Sequence, residues 1–265
     1  MSYSALEISR RGPVGWLVFN RPDVGNAVDA TMFSELERAW AELGADPDVR
    51  VIVNTGNGDA FQTGLDVRQL ASDKEALREQ SRRTRDFELR MTAWHCGVWK
   101  PVVAAVNGVC AGAGLHFVAD ADIVIASSSA SFLDPHVSVG QVSAIETIGL
   151  ARKSPMEAVT RMALMGRHER MSADRARELG ILSEVVEPPS RLRERAQELG
   201  ETIALNSPAA MAATKKALWE ALEMGLTDAC RNGAGHLVSV WGHPDQREGP
   251  SAFAERRVPN WSPPA

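Results

Sequence analysis

Two glycine-rich turns are the segments of this chain best suited to do chemistry. Residues 112–116 follow a short apolar run at residues 102–106, and residues 61–66 follow a similar run at residues 49–54. Backbone amides at the start of a helix lack partners within the helix, which makes them donors to an anion or an oxyanion. Two such turns after two strands could present two amides to one carbonyl oxygen. For acyl chemistry that arrangement stabilises an enolate by several kcal/mol, with about 3–4 kcal/mol for one donor.

A dinucleotide-binding fingerprint is the other known use of a glycine-rich turn between a strand and a helix. That fingerprint needs a third glycine, and the corresponding position here holds Phe117. The turn also comes unusually late in the chain for such a site. We therefore do not expect a nicotinamide cofactor.

Few side chains in this chain can exchange a proton near neutral pH. The sequence has six histidines and one tyrosine, Tyr3, which lies in the N-terminal tail. Histidine has an ordinary pKa of about 6.5, close to neutral. Chemistry that depends on tyrosine is therefore not expected, and titration near neutral pH must come from few places.

Composition argues against several other classes of protein. The three cysteines, Cys96, Cys110 and Cys230, fit no metal-ligand spacing, so we expect reduced thiols in a cytoplasmic protein without a metal. The chain has 29 basic and 34 acidic residues, which argues against a nucleic-acid partner. Residues 101–119 approach the length of a membrane span, but Asn107 and several glycines interrupt them, so no membrane segment is expected.

The elements that must position these turns alternate between strands and helices. A strand pair is predicted at residues 6–8 and 14–19, and buried strands are predicted at residues 49–54, 102–106 and 123–126. Helices are predicted at residues 30–43, 74–94, 192–203, 211–222 and 226–240. This order predicts an α/β core over residues 1–190 and a helical region over residues 191–265.

The chain resembles the crotonase family, the enoyl-CoA hydratases and isomerases, over its full length. The matching segments are Arg21-Pro22, Asn26-Ala27, 61–66, 100–108, 119–122, 176–186 and 248–261. Each segment is modest alone, but their order and spacing together identify the family. The resemblance implies a spiral of ββα units whose C-terminal helices form a homotrimer, often paired into a hexamer. It also implies an acyl-CoA substrate, with coenzyme A as part of the substrate and no separate cofactor.

The resemblance also implies which residues hold the thioester. The backbone amides of Leu65 and Ala113 would form the oxyanion hole. The family commonly has glycine at the second position. Alanine keeps the amide donor, but its methyl group narrows the path by which the thioester oxygen reaches that donor. Coenzyme and substrate contacts, made largely through backbone, would come from Asn26, Ala27, Val28, Ala60, Gly64, Asp66 and Gly112.

The main departure from the family concerns its two catalytic glutamates. In the family hydratases one glutamate acts as base toward water and the other gives a proton to the substrate α-carbon. The aligned positions here hold His116 and His136. Replacement of both by the same residue type indicates a retuned acid–base site, because histidine can serve either role.

The placement of these histidines predicts different proton states. His116 lies in the first turn of its predicted helix, where the macrodipole disfavours a cation, so we predict it to be neutral and His136 to be protonated more easily. Asp134 would orient His136 if that segment is extended, because alternate side chains share a face; otherwise it caps a turn before Pro135. Glu146 would reach the site if the preceding loop folds inward, or it begins the next helix and interacts with its N-terminus.

We expect an enzyme that adds water to an enoyl-CoA, or removes it, through a thioester enolate. One alternative is a crotonase-fold isomerase, C–C hydrolase or decarboxylase, because two imidazoles make the pocket less negative than two carboxylates would. Another is a non-catalytic acyl-CoA-binding subunit in which both histidines are structural. A serine hydrolase is not expected, since the sequence has no nucleophile elbow.

Two further expectations concern the surroundings of the site. The acyl pocket is predicted to be shaped by the helix at residues 74–94 and by the C-terminal helices. The remaining histidines, expected to be structural or at the surface, are His95, His168, His236 and His243.

Overall fold

The strands of the protein form two sheets in the computed structural model, which describes residues 2–66 and 74–264. Within these ranges the larger sheet comprises β1 (Leu6–Arg11), β2 (Val14–Phe19), β3 (Val51–Gly56), β5 (Val102–Val106), β7 (Ile123–Ser127) and β10 (Glu184–Val186). The smaller sheet comprises β4 (Ala60–Gln62), β6 (Val109–Ala111), β8 (Ser131–Leu133) and β9 (Met171–Ser172). Apart from the antiparallel pairs β1–β2 and β8–β9, neighbouring strands run parallel.

The helices of the described residues lie between the strands and then follow one another at the C-terminus. They are α1 (Ala30–Ala45), α2 (Lys74–Arg85), α3 (Gly114–Ala119), α4 (Ile145–Ala151), α5 (Met156–Met165), α6 (Ala173–Glu178), α7 (Leu192–Ile203), α8 (Pro208–Ala221), α9 (Leu226–Ser239) and α10 (Asp245–Glu255). The mixed α/β architecture with C-terminal helices is the one predicted. None of these helices is long and apolar enough to cross a bilayer.

The larger sheet is covered on both faces, which explains its uninterrupted apolar strands. Every residue of β2, β3 and β5 is buried. Parallel strands with two covered faces read as continuous hydrophobic runs. One face packs against α7 through Leu192 and Ala196, so the helical region after residue 190 shares a core with the sheet. The division of the chain at that residue stays a prediction.

The helix predicted over residues 74–94 ends early, at Arg85. Phe87 has a φ of +53°, and the amide of Glu88 donates to the carbonyl of Arg83. This bonding pattern with a left-handed residue is a Schellman cap, which terminates a helix. The apolar residues that suggested a longer helix, such as Leu89 and Met91, lie in the irregular segment that follows the helix, and their side chains are buried there.

The C-terminal helices are tied to the core by an ion pair whose lysine is buried, and they leave apolar side chains exposed. The Lys215 ammonium lies 2.7 Å from Asp122 Oδ2 and donates to the carbonyl of Lys100 at 2.9 Å. Exposed apolar residues in this region include Leu218, Leu226, Leu237 and Phe253. Large exposed apolar patches are typical of interaction surfaces, and the predicted trimer or hexamer stays a prediction.

Candidate active site

The two glycine turns follow β4 and β6, which are neighbouring parallel strands of the smaller sheet. A Cβ added to Gly64 would lie 3.6 Å from the backbone nitrogen of Ala113 and 3.7 Å from Gly112 Cα. Both glycines have positive φ, +99° for Gly64 and +53° for Gly112, a conformation that other residues rarely adopt. The two turns predicted from the sequence are therefore in van der Waals contact.

The turns interlock through one further glycine and one glutamine. Gln62 Oε1 accepts the amide of Gly64 at 2.8 Å. A Cβ added to Gly114 would lie 2.3 Å from the Gln62 carbonyl oxygen and 2.7 Å from its Oε1. Any side chain at residue 114 would push the turns apart, so glycine is required there by close approach rather than by φ.

The backbone amides of Leu65 and Ala113 do not take part in the backbone hydrogen bonds of the described residues around them. Val28 donates to the carbonyl of Gly64 and accepts from the amide of Asp66. In such a parallel bridge the intervening amide, that of Leu65, points to the other side. Ala113 precedes the first residue of α3, and within residues 2–66 and 74–264 neither amide donates a backbone hydrogen bond. Both residues line the same cavity, of about 450 Å³.

That cavity also brings together the predicted acid–base residues. His116, from α3, and His136, after β8, line it together with Glu146, from α4. A Cβ added to Gly112 would lie 3.5 Å from His136 Cε1, so the His136 ring borders one of the glycine turns. Four of the predicted residues, Leu65, Ala113, His116 and His136, thus line one cavity, while their roles stay predictions.

Asp134 holds the ring of His136. Its Oδ1 lies 2.6 Å from His136 Nδ1 and accepts the His136 backbone amide at 3.1 Å. Pro135 is in the helical region, with φ −84° and ψ −1°, so the extended segment suggested by the sequence is wrong. A turn brings the two side chains together instead, and Asp134 both closes that turn and contacts the ring. Since a carboxylate only accepts, Nδ1 carries the proton and Nε2 is the basic nitrogen of the neutral ring.

The hydrogen bond with Asp134 raises the pKa of His136, and the nearby Glu146 carboxylate adds to this effect. Burial acts to raise the pKa of Asp134, but hydrogen bonds from His136 and Ser143 outweigh it and leave that pKa lowered. The carboxylate therefore stabilises the imidazolium form of His136 once a proton has been taken up. In its neutral form His136 is a stronger base than an ordinary histidine and is suited to accept a proton from water.

His116 is in the opposite state. Burial, with a smaller contribution from the positive charge that His95 and His136 can carry, lowers the pKa of His116 to about 3. The ring is neutral near pH 7. The pKa of His116 is therefore lower than that of His136, which is the order predicted from the sequence. The main cause is burial rather than the helix dipole, because α3 is only 6 residues long.

Glu146 lies between the two histidines. Its Oε1 is 3.2 Å from His136 Nδ1, and its Oε2 is 3.6 Å from His116 Nε2. Burial raises the pKa of this carboxyl group. The sequence left two interpretations of Glu146 open, and both hold: it is in the first turn of α4 and it also faces the cavity.

The predicted coenzyme-binding residues belong to the turns or lie beside them, and none of them lines this cavity. Asn26, with a φ of +59°, is buried, and its amide group donates to the carbonyls of Asn57 and Ala60. Its side-chain oxygen accepts the amide of Arg21. Because the Asn26 side chain is used internally, any contact with a ligand has to come from backbone, which is the form the sequence prediction took. The carboxylate of Asp66 is paired with the Arg21 guanidinium at 3.1 Å.

His95 is the residue that sequence reasoning missed. It was expected to be structural or at the surface, without a contact to the site. It is buried, as a structural histidine can be, and its ring centroid lies 5.6 Å from that of His116. Its Nδ1 is 3.0 Å from Thr92 Oγ1, and Thr92 donates to Asp120 at 2.7 Å. Burial lowers the pKa of His95 to about 4. No motif joins residues 92, 95 and 120, so only the fold could reveal this contact.

Two groups of side chains in the described part of the chain have the donor types of a metal site. They are His95 with His116 and Asp120, and Asp134 with His136 and Glu146. In the second group a direct contact of 2.6 Å joins carboxylate and imidazole, which leaves no room for an ion between them. The expectation that the protein works without a metal stays a prediction.

Comparison with known proteins shows the same family over nearly the whole chain. The family model described as enoyl-CoA hydratase/isomerase matches residues 10–264. (E)-benzylidenesuccinyl-CoA hydratase of Thauera aromatica is 34% identical over 260 residues, 96% of each chain. Carnitinyl-CoA dehydratase of Salmonella typhi is 33% identical and covers 97% of this chain and 98% of its own. The crystal structure of an enoyl-CoA hydratase/isomerase from Mycobacterium paratuberculosis is 40% identical, with a TM-score of 0.87 over 98% of this chain and 99% of that one.

Proposed function

The chain belongs to the enoyl-CoA hydratase/isomerase family, and from that premise we propose that it hydrates an enoyl-CoA with histidines in place of the family's two glutamates. Two relatives are named as a hydratase and a dehydratase of CoA thioesters, which supports addition or removal of water. The observation that carries the proposal is the contact between Asp134 and His136 at the edge of the cavity that Leu65 and Ala113 line.

The reaction begins with removal of a proton from water. His136 Nε2 takes this proton, and the water oxygen forms a bond to the β-carbon of the enoyl group. The electron pair of the double bond moves toward the thioester, so that negative charge develops on its oxygen. The amides of Leu65 and Ala113 hold that oxygen, and a measured donor of this kind contributes about 3–4 kcal/mol to the transition state.

The second half of the reaction returns a proton to the α-carbon. We assign this proton to the pair of Glu146 and His116, whose side chains are 3.6 Å apart. The raised pKa of Glu146 allows its carboxyl group to carry a proton. Glu146 also lies 3.2 Å from His136 Nδ1, so once Nε2 has taken the proton from water, the Nδ1 proton can pass to Glu146 and replace the one delivered. This leaves His136 protonated on Nε2 only, and proton exchange with solvent water restores the Nδ1–H form for the next turnover.

The experiment is a hydration assay with a panel of enoyl-CoA thioesters. His136→Gln and His116→Gln are each expected to lower kcat/KM by about 10²–10⁴-fold, the usual contribution of a general acid or base. His168→Gln is the matched control, because that histidine is exposed and outside the cavity. Unchanged turnover in the His116→Ala/His136→Ala double variant would contradict the assignment of these two histidines to proton transfer.

A second candidate reaction is hydrolysis of a C–C bond in a β-keto thioester. The same observation favours it, since a histidine oriented by a buried carboxylate activates water in either case. Mass spectrometry of products formed in heavy-oxygen water separates the two reactions. Hydration adds one labelled oxygen to an intact acyl-CoA, whereas C–C hydrolysis gives a shorter acyl-CoA and a labelled carboxylic acid.

A further inference from the structure

A second cavity adjoins the proposed active site. Its volume is about 520 Å³, and His116 and Ile145 belong to the walls of both cavities. A substrate whose enoyl carbons lie beside His116 can therefore extend its acyl group into this second space. The turn region after Arg85, together with α4 and α8, forms the remaining walls.

Aromatic rings follow one another from His116 into this cavity. The ring centroids of His116 and His95 are 5.6 Å apart, and those of His95 and Trp94 are 5.2 Å apart. Trp94 stacks on Trp219 at 6.3 Å with an angle of 20° between the rings. Phe87 meets Trp94 edge to face at 6.1 Å. The cavity thus has flat, apolar walls next to the reacting carbons.

These rings are only partly covered by the protein. Trp94 is 38% exposed and Phe87 is 53% exposed. Large apolar groups left open around a concave space are typical of a ligand-binding site.

The charged groups at the cavity already have partners. Arg152 pairs with Glu223 at 3.5 Å. The Lys153 ammonium donates to the carbonyl of Ala121 and lies 4.7 Å from the centre of the Trp219 ring. An ionic group at the end of the acyl chain would have to displace one of these contacts. The cavity therefore favours a neutral apolar group.

We propose that the acyl group of the substrate carries a neutral aromatic ring that lies against Trp94 and Trp219 in this second cavity. The inference rests on the proposed function, because it takes the thioester to be in the first cavity. A straight alkyl chain would bury apolar area as well, but it offers no flat face. Each contact between two aromatic rings strengthens binding by a factor of roughly 2–10 beyond the effect of the buried apolar area. Contacts of the substrate ring with two tryptophans therefore favour the aromatic group by about tenfold.

The test compares 3-phenylpropenoyl-CoA with trans-2-nonenoyl-CoA, which has the same number of acyl carbons. The aromatic substrate is expected to have the higher kcat/KM by about tenfold. Trp219→Leu should lower this ratio by about fivefold, and Trp94→Leu should act in the same direction. Trp241→Leu is the control, because Trp241 is 65% exposed and lines neither cavity. Equal kcat/KM values for the two substrates, or a ratio that neither variant changes, would overturn the inference.

A binding measurement separates this inference from the proposed function. If no thioester of the panel is hydrated, the proposed function fails, and calorimetry with saturated 3-phenylpropanoyl-CoA and nonanoyl-CoA still tests the ring. Tighter binding of the aromatic thioester, lost in Trp219→Leu, supports the second cavity as an aryl site. Equal Kd values for the two thioesters contradict it.

Discussion

Replacing Asp134 by asparagine tests the assignment of His136 as the base. Asparagine keeps the shape of the side chain, and its oxygen can still accept the backbone amide of His136, so the turn should survive. The carboxylate, which is fully buried and 2.6 Å from His136 Nδ1, is lost. A hydrogen bond to a charged group contributes about 1.5–3 kcal/mol. If this whole contribution stabilises the transition state, its loss lowers kcat/KM by about 10- to 150-fold.

The pH dependence of the same variant has a definite sign. Asp134 raises the pKa of His136, and His136 must be neutral to accept a proton. In the wild-type protein kcat/KM should therefore fall as the pH drops through that raised pKa. Removal of the carboxylate lowers the pKa, so the acid limb of Asp134→Asn should move to lower pH while the maximum rate falls.

The assay is the loss of enoyl absorbance over a pH series, with Ser143→Ala as the control. Ser143 donates to the other oxygen of Asp134, so this variant keeps the charge beside His136. It should keep its acid limb near the wild-type position and lose less in kcat/KM than Asp134→Asn, because the hydrogen bond that it removes is not made to His136. An Asp134→Asn protein that folds normally, keeps its acid limb and turns over at nearly the wild-type rate would refute the assignment. Asp134 would then serve only to close the turn.

The Asp134–His136 pair also makes folding stability depend on pH, because the pKa of Asp134 is lowered and that of His136 is raised in the folded protein. The contribution of Asp134 is present above the ordinary pKa of an aspartate and is lost as the pH falls through its lowered pKa. The contribution of His136 is present below its ordinary pKa, about 6.5, and is lost as the pH rises through its raised value. Denaturant unfolding should therefore show the largest difference between wild type and Asp134→Asn at about pH 4–6. A difference that is the same at pH 5 and pH 9 would contradict the pairing.

Three further variants test other parts of the structure. Glu146→Gln should slow deuterium exchange at the substrate α-carbon by about 10²-fold, whereas Glu157→Gln, at an exposed position, should not; equal exchange in both would contradict the proton path. Gly114→Ala should lower the free energy of unfolding by about 1–3 kcal/mol because its Cβ meets backbone, while Gly233→Ala, with open space in α9, should raise it by about 0.5–1 kcal/mol. Leu237→Glu, at an exposed apolar position, should lower the mass measured by light scattering if α9 lies in a subunit interface, and an unchanged oligomer would place the interface elsewhere.

The sequence predicted the long elements of the fold better than the short ones. Apolar runs of five or more residues, such as those of β2 and β5, identified buried strands because both sheet faces are covered. The strands of the smaller sheet have at most 3 residues, too few for a periodic pattern. The helix from Lys74 was predicted to continue to residue 94 because apolar residues recur after Phe87. Its end depends on a left-handed residue that is not glycine, which sequence alone does not signal.

Site residues that belong to local sequence motifs could be predicted, whereas contacts between distant segments of the chain could not. Leu65, Ala113, His116 and His136 came from ordered motifs, and they line one cavity. The contact of Glu146 with both histidines depends on how the loop before α4 folds, which no spacing determines. His95 reaches His116 only because the segment after α2 turns back toward α3. Long-range packing of this kind leaves no local pattern in the sequence.

The main-chain amides of Leu65 and Ala113 have a consequence for how this protein would be mapped by mutagenesis. Every residue except proline carries that N–H group, so replacing either side chain leaves the donor in place. An alanine scan would show lost activity at the histidines and carboxylates but no comparable loss at Leu65, and it could not test Ala113. Variation among natural sequences at residues 65 and 113 would look permissive for the same reason. The groups that hold the thioester oxygen in our proposal are thus insensitive to side-chain substitution, and chemical change at the neighbouring acid–base positions can proceed without disturbing them.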